Sequence, residues 1–346
     1  MRLSEVARRL GGTLTGADVE VTDLCSARHP KAGCLGYAET RKVAEQLQQT
    51  EVAAVLCPPF EPGLTKPMVT VANPKEGLAR ALALFRPAGT PAPQIHSTAG
   101  VSSKAHVAEG VSIGAFAVVE AGAHIGAFAV LYPFVYVGPN ARVGERCVLY
   151  PGSVVMENCV LGEEVVLQPG AIIGGEGFGF YPEPGKTPQK IPQRGGVVLG
   201  DRVEVGANSA VDGGTIDATV LGEGTKLDNF VQIGHNVEVG KGVLAAAQAG
   251  VAGSCEIGDG AIIGPQAGIK SHAHIGAGTT IAAQAGVFGD LPAGITVSGY
   301  PATPHQRALR ILAITQQLPE ILQRLKELEK KCEALEALQA GTGKKA

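Results

Sequence analysis

From Val101 an aliphatic residue stands at every sixth position, through Val107, Ile113, Val119 and Ile125 to Ile173, thirteen in succession. The series resumes as Leu199, Val205 and Val211. It resumes again from Leu221 through Leu227, Ile233, Val239, Ala245, Val251, Ile257, Ile263, Ile269, Ile275 and Ile281 to Val287, with Ala245 the one small member. A helix of 3.6 residues per turn drifts out of this period and a lone strand alternates every two residues, so neither accounts for it. A short fixed repeat is the mark of a solenoid. One aliphatic per hexad, directed inward, stacks into an apolar column. The Gly that follows it in Ile113-Gly114, Ile125-Gly126, Val137-Gly138 and Ile257-Gly258 lets the backbone turn sharply. Three hexads per coil predict a triangular prism of parallel strands, with coils about 4.8 Å apart.

Composition agrees with that frame. The 346 residues include 48 Gly and no Trp, and aromatics make up 4%, which suits tight small turns better than a globular core. A net charge of −3 offers no electrostatic case for nucleic acid. The seven Cys (25, 34, 57, 147, 159, 255 and 332) form no CxxC pair, which favours buried free thiols in a reducing compartment over disulfides or zinc. Met1–Glu5 opens a polar, amphipathic stretch unlike a signal peptide, and no apolar run approaches the roughly 20 residues of a membrane span. The expectation is a cytoplasmic protein with no transmembrane segment.

Residues 1–86 lack the ladder and read as a small α/β domain. Ser4 is expected to N-cap a helix over Glu5–Leu10, closed by Gly11-Gly12. Val19–Leu24, Val52–Cys57 and Val69–Val71 read as strands, and Arg41–Gln49 and Pro74–Phe85 as helices. A Pro-rich linker follows over 87–99, the solenoid occupies 100–302, helices 303–340, and a tail 341–346. Two interruptions break the hexads: one between Ile173 and Leu199, beginning Gly174-Gly175-Glu176-Gly177-Phe178-Gly179-Phe180-Tyr181, and one between Val211 and Leu221. Solenoids accommodate such excursions as loops, commonly on the binding face. In the helical segment that begins around Pro319, the stripe Leu318, Leu322, Leu325, Leu328, Cys332 and Leu335 suits packing between helices, either between subunits or against the same chain.

Of the eight His, two stand apart on spacing. The hexads of His235 and His272 begin at Ile233 and Ile269, 36 residues apart. That is two whole coils, so both lie on one side of the prism, within about 10 Å of each other. His274 shares the second hexad but stands nearer its end and points elsewhere. Asp228-Asn229 lies one hexad before His235. There a carboxylate can hold an imidazole in one tautomer, as in general-base triads, or the pair can simply cap a tight turn. No Cys or Glu completes a ligand spacing around His272 and His274, so no metal site is expected.

At Lys190–Asn236 the match to a known family becomes specific. The chain reads Lys-Ile-Pro-Gln-Arg-Gly-Gly from Lys190, then Val211-Asp212-Gly213-Gly214, then Lys226-Leu227-Asp228-Asn229-Phe230-Val231-Gln232-Ile233-Gly234-His235-Asn236. With Gly177-Phe178-Gly179-Phe180 and the hexads, it resembles the hexapeptide-repeat acyltransferases, and within them the UDP-3-O-acylglucosamine N-acyltransferases of lipid A biosynthesis. The resemblance implies a mainly β fold: a left-handed parallel β-helix with a small N-terminal α/β domain of sugar-nucleotide-binding type and C-terminal α-helices. It implies a homotrimer with sites in clefts between adjacent β-helices, transferring a 3-hydroxyacyl chain from acyl carrier protein to the 2-amine of a UDP-amino-sugar. No cofactor is implied beyond the 4'-phosphopantetheine that arrives on the carrier protein.

By motif match His235 falls on the general base, Asp228 and Asn229 on its acidic and amide neighbours, and His272 on a second active-site His. Gly253 falls on a backbone N–H that serves the oxyanion. Tyr37, Phe178, Phe180 and Gln232 are the substrate-binding candidates, and Gly286 and Phe288 belong to the acyl channel. The resemblance departs at Gly36–Lys42, where only Tyr37 stands in for the rings that hold uracil, and at Gly213, where the family has Arg. Those departures leave other readings open: another amino-sugar acceptor or an acyl-CoA donor, a non-catalytic β-helix scaffold, or a metal enzyme like the γ-carbonic anhydrases.

Overall fold

The structure, a computed structural model, describes residues 1–60, 63–85, 91–299 and 305–342, of which 337–342 as backbone alone. The chain divides into two compact units, Met1–Thr90 and Pro91–Ala346.

In the first unit, α1 (Leu3–Leu10), α2 (Arg41–Gln48) and α3 (Pro74–Phe85) accompany five strands: β1 (Thr13–Thr15), β2 (Leu24–Ser26), β3 (Leu35–Tyr37), β4 (Ala54–Cys57) and β5 (Met68–Thr70). They form one sheet in the order β1-β5-β4-β3-β2, parallel except where β1 meets β5. The fully buried β4 is its centre. Ser4 is not the N-cap of α1. The helix starts at Leu3, and Ser4 donates from its N–H and hydroxyl to the carboxylate of Asp18 at 2.9 and 2.8 Å, so the cap comes from a later loop. Gly11 closes α1 at φ +65° as expected. The expected strand over Val19–Leu24 is mostly irregular: only Leu24 enters β2, and Glu20 makes a single bridge to Arg2.

In the second unit the eighteen-residue coil is explicit in the strand register. His124 and Ile125 pair in parallel with Arg142 and Val143, and Val130 and Leu131 with Val148 and Leu149. Successive strands take three faces in rotation. Among the described residues the first face, which carries Val101, Val119 and Val137, has ten strands. The second, with Val107, Ile125 and Val143, has nine, and the third, with Ile113, Leu131 and Leu149, has ten. The ladder residues from Ile113 to Val287 are at most 5% exposed. Each buried Leu, Ile or Val contributes roughly 1.5–3 kcal/mol relative to exposure. A second column, two residues before the ladder, is also buried and holds mainly small side chains such as Ala117, Ala141, Cys147, Ser153, Cys159 and Cys255. Burial pushes the thiols of Cys147 and Cys159 up to about 11, which keeps them protonated and unreactive.

The solenoid starts inside the expected linker. Ile95 bridges to Ile113, and the His96 N–H donates to the Ile113 carbonyl at 2.9 Å. Residue 86, residues 87–90 of that linker, 300–302 of the exit turn, 303–304 at the start of the expected helices and 343–346 of the tail lie outside the described residues. The C-terminal helices are α4 (His305–Gln316) and α5 (Leu318–Thr342). Leu318, Leu322, Leu325, Leu328 and Leu335 are all exposed, so the stripe is not packed against the described residues of its own chain. Among the described residues no helix is long and apolar enough to cross a membrane.

Candidate active site

Both interruptions of the ladder leave the prism at one corner, where the first face turns into the second. The longer leaves after Ile172–Gly175 and returns at Val197–Leu199; the shorter leaves after Ala210–Asp212 and returns at Thr219–Leu221. His235-Asn236 forms the same corner one coil later, Gly253-Ser254 the next, and Ser271-His272 the next. The backbone binds these turns together. The Ser254 N–H donates to the His235 carbonyl at 2.9 Å and the His272 N–H to the Gly253 carbonyl at 3.2 Å. Against this corner lies a cleft of about 750 Å³ whose walls include Glu176, Phe178, Phe180, Lys190, Asp212, Gln232, His235, Gly253 and His272. The longer loop carries a short antiparallel hairpin, Phe180–Tyr181 with Gln189–Lys190, and the Phe178 and Phe180 rings meet edge-on at 5.1 Å.

The tautomer of His235 follows from its neighbour. The Asn236 side-chain oxygen accepts from the Thr215 N–H at 2.9 Å, while its amide nitrogen donates to the Asp217 carbonyl at 3.1 Å, so the orientation of that amide is settled. The same oxygen lies 3.2 Å from Nδ1 of His235 and can only accept. Nδ1 therefore carries the proton, and the lone pair is on Nε2. Gly253 packs against the ring on that side: a Cβ built there would lie 2.6 Å from Nε2. Gly177 packs against the other end, since a Cβ there would lie 2.7 Å from the His235 Cβ. Thr215 also donates to Gln193 at 2.8 Å, which ties the two loops to each other and to Asn236.

Asp228 and Asn229 are elsewhere in the chain. They form the turn between the third and first faces, a full side of the prism from His235. The Asp228 carboxylate accepts from the N–H groups of Asn229 at 2.7 Å and Ala247 at 3.2 Å, and Asn229 accepts from the Ala207 N–H at 2.7 Å. Within one chain they serve as turn caps, and the residue that orients His235 is Asn236. His274 stands on the second face beside Glu256, at 3.1 Å. Tyr37 ends β3 in the other unit, half-buried, its hydroxyl pushed up first by burial and then by Glu39.

Two carboxylates do line the cleft with His235, Glu176 and Asp212, and spacing alone does not single out Asp212. Burial raises its carboxyl above the usual range, against the opposing pull of the Gln232 hydrogen bond and of His235. Gln232 Nε2 donates to Asp212 Oδ2 at 2.9 Å. Glu176 and Lys190 pair with each other at 2.5 Å. Next to the cleft, and sharing Gln232, Val251 and Ala252 with it, a largely apolar groove of about 490 Å³ runs to Phe288. Its floor is the register-paired column Gly250, Gly268 and Gly286. Among the described residues no three His, Cys, Asp or Glu side chains gather as a metal site.

Residues 140–175 and 254–289 match the family model described as bacterial transferase hexapeptide (six repeats). Over 337 residues, 97% of this chain and 98% of the relative, the sequence is 47% identical to UDP-3-O-acylglucosamine N-acyltransferase 3 of Gloeobacter violaceus. The chain belongs to the UDP-3-O-acylglucosamine N-acyltransferase family. Another UDP-3-O-acylglucosamine N-acyltransferase, from Nitrosococcus oceani, is 45% identical over 98% of this chain and 99% of its own length. Membership of the UDP-3-O-acylglucosamine N-acyltransferases makes the chain an acyltransferase and the solenoid a left-handed hexapeptide β-helix. Among solved structures, the Arabidopsis UDP-N-acetylglucosamine acyltransferase matches with a TM-score of 0.54 over 60% of this chain and 71% of that one, at 24% identity, a likeness of fold.

Proposed function

We propose that this acyltransferase moves a 3-hydroxyacyl chain from acyl carrier protein to the 2-amine of UDP-3-O-acylglucosamine, in the cytoplasm and as a step of lipid A biosynthesis. The observation that carries the reading is His235 with its lone pair on Nε2, beside Gly253, where the cleft opens into a glycine-floored groove. A neutral imidazole is suited to take a proton from an attacking amine near neutral pH. Attack on the thioester carbonyl builds an oxyanion. The Gly253 N–H makes no hydrogen bond to the described residues, so it is free to stabilise that charge. Loss of one such donor typically costs on the order of 10²–10³ in rate. The tetrahedral adduct collapses directly, without an acyl-enzyme, and no cofactor takes part.

His272 is the second imidazole of the cleft, and Phe178, Phe180 and Gln232 hold the acceptor. The acyl chain lies over Gly250, Gly268 and Gly286 toward Phe288. Asp228 and Asn229 enter this reading only through a neighbouring copy, in a homotrimer whose clefts lie between adjacent solenoids.

A mass-spectrometric transfer assay tests this. Hydroxyacyl carrier proteins of several lengths and the matching acyl-CoA are offered with UDP-3-O-acylglucosamine or plain UDP-amino-sugars. Product from carrier protein and the 3-O-acylated acceptor supports the reading, and no product from any 3-O-acylated acceptor overturns it.

A further inference from the structure

We propose that Asp212 is the residue that selects an amine acceptor over a hydroxyl one, by holding the sugar's 2-ammonium group beside His235. This rests on the acceptor assigned above and goes beyond it, because a base and an oxyanion donor serve an attacking hydroxyl as well as an attacking amine.

Three features lead to it. Asp212 ends a first-face strand one rung below Gln232–Ile233, so its carboxylate stands under the Gly234-His235 turn. Oδ2 is held by Gln232 at 2.9 Å, while Oδ1 takes no hydrogen bond from the described residues. Finally, the cleft's other carboxylate, Glu176, is already paired with Lys190. Asp212 is thus the carboxylate of the cleft that pairs with no cationic side chain among the described residues. A half-buried carboxylate with one oxygen free is a poor neighbour for a neutral hydroxyl, but it forms a charge-assisted hydrogen bond with an ammonium. Its low hydration strengthens that contact relative to one in water.

The proton count closes with this arrangement. A sugar ammonium held by Asp212 releases one proton to water. The freed amine forms the C–N bond to the thioester carbonyl carbon and gives a second proton to His235. The C–S bond then breaks with its electron pair leaving on sulfur, and His235 returns that proton to the thiolate. The nitrogen keeps its last hydrogen as the amide N–H. Asp212 touches the amine before and after the first proton leaves, and during the second transfer its charge favours the His235 imidazolium.

The test is equilibrium binding by calorimetry at pH 7. The parent, Asp212→Asn and Asp212→Glu are each titrated with UDP-3-O-acylglucosamine and with its 2-hydroxy counterpart, and acyl transfer to the amine is followed in parallel. The parent is expected to bind the amine at least tenfold more tightly than the hydroxyl compound. Asp212→Asn is expected to bind both alike, with KM for the amine raised more than kcat is lowered, and Asp212→Glu to recover part of the preference. Circular dichroism verifies that the variants are folded. If Asp212→Asn keeps the parent's preference, or the parent has none while still acylating the amine, Asp212 is not the selector and the proposed function stands. If the parent binds and acylates neither compound, the acceptor assignment falls and this proposal with it.

Discussion

Gly253 backs onto the imidazole of His235 so closely that a methyl group there would lie 2.6 Å from Nε2 and 2.7 Å from Cε1. Its φ is not in the left-handed region, so the backbone accepts Ala and the ring has to move. Displacing a catalytic group by about 1 Å can cost on the order of 10²-fold. Gly253→Ala is therefore expected to lower kcat by about that factor while leaving the circular dichroism spectrum and melting temperature near those of the parent. Steady-state kinetics beside a thermal melt checks it; a fully active variant would remove Nε2 from the reaction.

Asn236 fixes the His235 tautomer and anchors the shorter loop through Thr215. In Asn236→Ala the imidazole loses its Nδ1 partner. Activity is expected to fall, but by less than the roughly 10²–10⁴-fold that removal of a general base costs. The distinguishing measurement is the ¹⁵N spectrum of the His235 ring, which should change from one tautomer to a mixture. A single unchanged tautomer would mean that something other than Asn236 holds the proton on Nδ1.

Asp212 carries a stability signature whose sign follows from burial. Its carboxyl is raised in the folded chain above the unfolded value. Below the ordinary carboxylate range both states are protonated and the fold keeps the full contribution. As pH rises through the folded value, the folded chain must ionise a poorly hydrated group and that contribution is lost. Asp212→Asn keeps an acceptor for Gln232 without the charge. It should raise the melting temperature by a few degrees at pH 7, and the advantage should shrink toward pH 4. A gain that grows as pH falls would contradict the burial argument.

The groove floor makes a prediction about chain length. Nothing stands within 4 Å of a Cβ built at Gly268, and its φ is not in the left-handed region, so Leu can be accommodated there. A Leu side chain would occupy the trough between Gly250 and Gly286. Each methylene kept off an apolar surface forfeits about 0.8 kcal/mol. Gly268→Leu should lower kcat/KM for long-chain donors by about tenfold or more and spare short ones. An equal loss for all lengths would place the chain elsewhere.

Far from the cleft, Leu167 is fully buried on the third face. Leu167→Ala should cost about 2–5 kcal/mol, the range for such cavities, read as a lower midpoint in denaturant with kcat unchanged in the folded enzyme.

The prism was legible because its period is strict: each hexad puts one aliphatic inward, and counting in eighteens brings His235 and His272 to one corner. Nearness in sequence leaves Asp228 open as a partner of His235 or as a turn cap; one hexad is a full side of a triangle, so within one chain it caps a turn. The residues that do meet His235 were hidden for two reasons. Asn236 looks like any left-handed turn residue, as at Asn140, Asn158 and Asn208. Asp212 enters the cleft only because the loop after it leaves the prism there. In the first unit, β1 and β3 are three residues each, too short to show alternation. Gly36 in β3 is required by Leu47 of α2, which would lie 2.9 Å from a Cβ.

Because every coil repeats the same rung, distance along the axis in this protein is counted rather than tuned. Eighteen residues inserted between Gly253 and Ser271 would lengthen the gap between His235 and His272 by one step of about 4.8 Å and leave each buried column intact. Six would carry His272 to a different face. The reach from His235 to His272 therefore changes only in whole steps, and adjustment finer than a rung is left to the two loops that share their corner.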